Sequence, residues 1–477
     1  MKKLFLFGAI LLGGCTVGPK YNSPEPPVPS EWKSETADED VKQVGDWWDL
    51  FEDDVLADLE EKVIQNNPDI LAAMERVIEA RTIAGVKRSD LFPHIDFRPG
   101  YDNFSFLADL PTGGLPGIKP TVRLRERFYE FPLTMRYEID LWGKFRGQHK
   151  AALLNADARS AALRGVQLTL TSDLASNYFN MRELDGQILL MEEIVNLRKD
   201  FSELIRIRFR AGLNSALDVS LADQRLSDNQ AELEELILQR SHFENAIATL
   251  IGRAAPSFTL ETNPLKGVPP EVPAGIPSSI LTQRPDIAQI EYEMESIHTE
   301  IGVAYSSFLP ALNLSGALGF LSTELKDFLK WKSRLWHIGV HIAQTIFDGL
   351  RRKSELDGVY ARFREAQNDY LSTVLMAFQE TEDALKSVQT RRAQEEKRKI
   401  SLAAATKSAH ITQARFDAGI VNLLNVIDFR EKELHAKQRH LSTLGKRYQS
   451  SLELIKALGG GWTDEELSDE ACIIEKP

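Results

Sequence analysis

The sequence predicts a mainly α-helical chain that also carries membrane-type β-strands and is internally duplicated. Three observations predict it: two long stretches free of proline, a period-two apolar alternation of bilayer length, and segments that recur in the same order. The 477 residues hold 57 basic and 70 acidic side chains, a formal net charge of −13, and 43% are hydrophobic. That apolar content excludes a disordered chain. The acidic balance argues against a nucleic-acid partner, which usually meets a basic face. Two cysteines, Cys15 and Cys472, cannot make a disulfide framework. No run of about 18 apolar residues occurs, which excludes a helical span but not β-strands, whose signal is fainter.

The chain opens with Lys2 and Lys3, then an apolar run from Leu4 to Leu12, of signal-peptide length. Leu12-Gly13-Gly14-Cys15 resembles a bacterial lipoprotein signal box. Residues 1–14 are therefore expected to be removed and Cys15 to carry lipid. Each buried methylene contributes about 0.8 kcal/mol, so three acyl chains anchor firmly. By resemblance to sorted lipoproteins, Thr16 after the cysteine favours the outer membrane. Residues 15–53 form the anchor and an extended strap, with five prolines between 19 and 29.

No proline lies between Pro132 and Pro256, or between Pro310 and Pro477. Proline costs about 3 kcal/mol inside a helix, so these stretches permit very long helices. Glycine divides them, giving rods over 144–211 and 350–418 that end at Gly212 and Gly419. Each would run about 100 Å at 1.5 Å per residue. Leu170, Leu174, Tyr178, Met181, Leu184, Ile188, Met191 and Val195 step by three or four and share one helix face. Half-length helices are expected over 55–90, 216–252, 280–307 and 423–458.

A duplication organises these elements. The segment from Arg208 to Val219 recurs 207 residues later, from Arg415 to Val426, with six of twelve positions identical. Pro68-Asp69-Ile70, Gly85-Val86 and Pro93 recur 217 residues later as Pro285-Asp286-Ile287, Gly302-Val303 and Pro310. The first repeat covers 54–252, a Pro/Gly-rich linker 253–279, the second repeat 280–458 and a tail 459–477. Tip turns fall at 212–215 and 419–422.

Alternation follows each matched proline. Phe131, Leu133, Met135, Tyr137, Ile139 and Leu141 are apolar, with mostly polar residues between. A period of two over eleven residues is a strand with one apolar face, long enough to cross a bilayer when tilted. Weaker strands are expected over 95–105, 312–320 and 336–344, which makes two hairpins, about 94–142 and 311–346. Four strands cannot close a barrel, and lipid does not tolerate an open edge. Several chains must contribute.

With these elements in order, the sequence resembles the outer-membrane efflux (TolC-like) family in its lipoprotein branch. The motifs that carry the resemblance are Gly14-Cys15-Thr16-Val17-Gly18-Pro19-Lys20-Tyr21, Trp47-Trp48 and Glu138-Ile139-Asp140-Leu141-Trp142-Gly143. Ile346-Phe347-Asp348-Gly349 and Ala457-Leu458-Gly459-Gly460-Gly461-Trp462 complete them. The resemblance implies a long-helix α-barrel in the periplasm and a shared outer-membrane β-barrel, four strands per chain, in a homotrimer. It implies a passive exit duct for drugs, toxic compounds or metal ions, without enzymatic chemistry or cofactor. The partners implied are a periplasmic adaptor, an inner-membrane pump of RND type and outer-membrane lipid.

The resemblance also assigns residues. The tip turns at Gly212 and Gly419, with Leu217 and Val426, would dock the adaptor. Leu424 and Asp428 would form the periplasmic gate, an apolar ring beside a carboxylate ring that favours cations. A helix-packing leucine and a solvated surface charge are the competing readings of those two. Leu221 stands where the first repeat matches Asp428, so the two turns are not equivalent. Some relatives carry a basic residue three after the aspartate; here Glu431 stands there, beside Arg430.

His337 and His341 are four apart in an expected strand, and no metal site is assigned to them. His435 and His440 carry no ligand spacing, and no nucleophile elbow, P-loop or zinc-protease motif occurs. Phe328, Trp331 and Trp336 suit an interfacial belt or loop packing, and 107–120 an extracellular loop. Two alternatives stay open at this point: a periplasmic adaptor or structural coiled-coil lipoprotein without a pore, and a duct for type I protein secretion.

Overall fold

The computed structural model describes residues 17–34, 46–109, 121–272 and 277–460. Cys15, most of the expected 107–120 loop, and Cys472 with the tail beyond 460 lie outside them. In order the elements are α1 (Asp54–Asn66), α2 (Pro68–Ser89), β1 (His94–Phe97), β2 (Gly100–Asp109), β3 (Thr121–Ile139), α3 (Lys144–Arg210) and α4 (Ala216–Leu250). Then come α5 (Ile280–Gln283), α6 (Pro285–Ser306), β4 (Ala311–Ser322), β5 (Arg334–Ala343), α7 (Arg351–Asp417) and α8 (Leu423–Ala457).

The two rods, α3 and α7, are 67 residues each and end within a residue of the expected bounds. Each starts at the same kind of corner. The Asp140 carboxylate accepts from the backbone N–H groups of Phe145 at 3.2 Å and Arg146 at 3.0 Å. Asp348 accepts from the Arg352 backbone at 3.3 Å and from its guanidinium at 2.5 Å. A carboxylate there satisfies orphan donors and complements the helix dipole. Gly143 and Gly349 take positive φ, 77° and 64°, to turn the chain into the rod.

Three expected elements are broken. The helix expected over 55–90 is interrupted at Asn67, whose side chain accepts from Asp69 N–H at 2.8 Å and donates to Leu250 O at 2.8 Å. Pro68 follows as the first residue of α2, where a missing N–H costs nothing. The helix expected over 280–307 breaks in the same way before Pro285. The strand expected over 95–105 is two strands, β1 and β2, separated by Arg98 and Pro99. The strand expected to start near 130 instead starts at Thr121 and runs 19 residues.

The sheet order is β1–β3–β4–β5, with β2 also paired to β3. All pairs are antiparallel, and β1 and β2 occupy one position beside β3, so four strand positions result among the described residues. Pro132, mid-strand in β3, sits opposite Gly319 of β4. A Cβ on Gly319 would lie 2.2 Å from Phe131 O, so this glycine lets the strands approach where proline offers no donor. Trp336, Ile338, Val340 and Ile342 form an exposed apolar row on β5. Exposed apolar residues on this scale mark a surface meant for lipid or another chain.

The chain divides into two compact units that cut across the duplication. The first holds the sheet with segments Ile78–Ala156 and Glu291–Asn368 and the described part of Met1–Pro24. There Trp142 Nε1–H donates to Pro310 O at 2.7 Å, joining the two strand-to-helix corners. The second holds Asp157–Ile290 and the described parts of Glu25–Val77 and Asp369–Pro477. Its core gathers Trp47, Trp48, Leu56, Leu59, Val63, Tyr178, Phe179, Met181, Ile247 and Tyr448. Leu174, Tyr178, Met181, Leu184, Ile188 and Met191, six residues of the expected rod face, are buried. Buried Asp185 fastens the linker to the rod: it accepts from Arg240 at 2.6 Å, Arg182 at 3.2 Å and Asn263 N–H at 2.9 Å.

Candidate functional site

At the two tip turns the rods end with the same backbone bonds. Leu213 N–H reaches Arg208 O at 2.8 Å and Gly212 N–H reaches Phe209 O at 2.9 Å. Ile420 to Arg415 and Gly419 to Phe416 repeat this, both at 2.8 Å. These are Schellman-type ends, and they need a left-handed residue. Gly212 and Gly419 supply it at φ 75° and 74°. The next helices are capped at once. Ser215 and Asp218 form a capping box, and Asn422 Oδ1 accepts from Asn425 N–H at 3.1 Å. Those Ser215 bonds, with one from Asn214, hold the Asp218 carboxyl below its usual range.

Around the turns, apolar side chains stand in the open. Phe209, Leu213, Leu217 and Leu221 are exposed in the first repeat, Ile420 and Leu423 in the second. Of the residues assigned by resemblance, Leu217 is exposed, Val426 and Leu424 are half-buried, and Asp428 is exposed. Ile427 is the residue of that turn that is packed away. Asp428 is not bare: Lys432, one turn on, donates to it at 2.7 Å.

Behind the turns, ion pairs clasp three helices together. Arg198 of α3 donates to Glu431 of α8 in a nearly buried pair, with 9% and 14% of the side chains exposed. Arg430 reaches Glu193 of α3 and Glu433 of its own helix, both at 2.6 Å. Ser202 and Arg206 of α3 hold Asp223 of α4 at 2.6 and 2.8 Å. Thr406 of α7 donates to Glu433 at 3.2 Å. Burial alone would raise Glu431, but His435, 3.7 Å away, and the Arg198 guanidinium outweigh it and lower its pKa. The nearby Glu431 carboxylate in turn raises His435. Sequence reasoning singled out Arg430 and Glu431 but missed Glu193, Arg198 and Glu433. Alternating charge three and four apart on α8 was the available signal. The partners on α3 carry no signal in sequence.

No group of three or more His, Cys, Asp or Glu that could hold a metal stands together among the described residues. No described helix is long and apolar enough to cross a membrane. A sequence model described as outer membrane efflux protein matches residues 59–253 and 276–460.

The chain belongs to the outer membrane efflux protein family.

The efflux protein is 28% identical to the solvent efflux pump outer membrane protein SrpC of Pseudomonas putida, over 97% of this chain and 98% of SrpC. It is equally similar, 28% over 98% of both chains, to the pyoverdine export outer membrane protein OpmQ of Pseudomonas aeruginosa. Among solved structures, the outer-membrane channel OprN superposes with a TM-score of 0.83 at 26% identity, over 94% of this chain and all of that one. The Campylobacter jejuni CmeC outer membrane channel, at 24% identity, shares the fold with a TM-score of 0.83 over 96% and 98% of the two chains. The fold is thus that of a helical barrel with a β domain. The efflux protein is an outer-membrane efflux channel component whose helical part is periplasmic. Its family transports; it is not a family of enzymes.

Proposed function

We propose that three copies of this chain form one passive exit duct for small molecules, anchored by lipid on Cys15 and completing a tripartite pump. The observation that carries this reading is the sheet. Among the described residues it has four strand positions, two open edges and a solvent-facing apolar row on β5. An open edge cannot face lipid, because each unpaired backbone group costs several kcal/mol there. Closure by three copies gives about twelve strands, an even count as such barrels have. The helical turns then carry the partner contacts. The exposed leucines around Gly212 and Gly419, with Leu217 and Val426, suit docking of a periplasmic adaptor, which links the duct to an inner-membrane pump of RND type. Leu424 and Asp428 line the resting constriction, and the Arg198–Glu431 and Arg430–Glu193 pairs hold α8 against α3 behind it.

The relatives' names mention solvent, pyoverdine, toluene and antibiotics. Such a range fits a duct whose cargo is chosen by the pump. The test is extraction of a Cys15→Ser variant from membranes. An inserted barrel needs detergent and runs as a trimer even without its lipid. A protein released by salt or alkali alone would favour a lipid-anchored periplasmic protein without a pore.

A further inference from the structure

We propose that His337 and His341 form a binding site for a divalent transition-metal ion, Cu(II) most strongly, on the polar face of β5. The two histidines are four apart on a strand, so they share a face with Gly339 between them. Their rings lean toward each other over that glycine. A Cβ placed on Gly339 would lie 2.8 Å from His341 Nε2, 3.0 Å from His337 Cε1 and 2.9 Å from Ser315 Oγ. The first and last of these are shorter than real side chains show and the His337 contact is tight, so any residue but glycine would displace the rings that meet over it. A glycine inside a strand weakens it and marks a place where something approaches closely. Here what approaches is a pair of ligand groups and a hydroxyl.

The rest of the surroundings suits the same ion. Neither imidazole has a hydrogen-bond partner among the described residues, so their lone pairs are uncommitted. Asn313 stands opposite His341 in the register and Ser315 opposite Gly339, which makes this patch of the β4–β5 pair polar. The apolar row of Trp336, Ile338, Val340 and Ile342 points the other way. A metal held here would sit on the wall facing away from lipid. The chain supplies two imidazole nitrogens, and water completes the shell. Neutral imidazole is the commonest protein metal ligand, and Cu(II) stands at the top of the divalent affinity order for such donors. The site depends on one chain's strand pair alone, and stands or falls separately from the trimer.

The test titrates CuCl2 into the purified full-length protein in detergent at neutral pH, followed by electron paramagnetic resonance. The wild type is expected to show a Cu(II) species with two nitrogen ligands. Losing even an outer-shell partner costs a metal site about 10–100-fold. His337→Gln or His341→Gln alone is therefore expected to weaken this species at least about tenfold, and the double variant to abolish it. His94→Gln, also on a strand of this sheet, is expected to leave it unchanged. A wild type without the two-nitrogen species overturns the proposal. So does a double variant with unchanged circular dichroism that binds Cu(II) as tightly as the wild type.

Discussion

Glu431→Gln tests the clasp behind the tip. Arg198 and Glu431 keep only 9% and 14% of their side chains exposed. An exposed pair of this kind would contribute about 0–1 kcal/mol, but removing one partner of a buried pair costs about 3–5 kcal/mol. The cost is large because the remaining charge stays desolvated. Glutamine keeps one acceptor oxygen for the guanidinium, so the lower end, about 3 kcal/mol, is expected. At 1.4 kcal/mol per tenfold, that shifts the balance away from the clasped tip about a hundredfold. Single-channel recording reads it as the ratio of conducting to non-conducting time. Arg198→Met is expected to shift this ratio by a similar factor, and the double variant little further, since both substitutions remove the same interaction. If the two single effects simply multiplied in the double variant, the pair would not be coupled. The clasp would then be an incidental contact of two long side chains.

Three further outcomes follow from the same structure. The clasp should depend on pH through His435, whose raised pKa makes its contribution complete below the unfolded value of about 6.5 and lost as pH rises through the folded one. Glu431, lowered on folding, adds stability present above its unfolded value and lost as pH falls through the folded one, so open time should be least between the two and rise on either side. Glu60 is fully buried, neither oxygen has a hydrogen-bond partner among the described residues, and desolvation raises its pKa well above the usual range; Glu60→Gln should slow thermal unfolding at pH 8, with the gain shrinking toward pH 5. Gly319→Ala drives a Cβ into Phe131 O and should destabilise the β3–β4 pair by about 1–3 kcal/mol, read as a lower trimer melting temperature on gels.

Proline and glycine explain how much of this architecture was legible in the sequence. Both rods are free of proline, and Gly212 and Gly419 take the left-handed conformation that ends them, so rods and turns were legible within a residue, although Gly147, Gly165, Gly186 and Gly358 lie inside the rods without ending them. The breaks at Asn67 and Arg284 were missed although each sits just before a proline, because proline is tolerated as the first residue of a helix and Pro68 and Pro285 each open one. The first half of β3 was missed because Arg123, Arg125 and Arg127 dilute its alternation into a charged run. At the site, the turn geometry could be read from a repeated glycine. The clasp could not, since Arg198 and Glu431 stand 233 residues apart and only packing of α3 on α8 brings them together.

The proposed pore is closed at its periplasmic turns by Leu424 and Asp428. The most direct measurement is single-channel current in a planar bilayer, comparing the full-length protein with the Leu424→Ala, Asp428→Ala double variant. Small, infrequent steps are expected from the wild type. Larger, cation-favouring resting steps are expected from the double variant. Inserted protein that stays silent in both forms would contradict the pore, and equal conductance in both would contradict the placement of the gate.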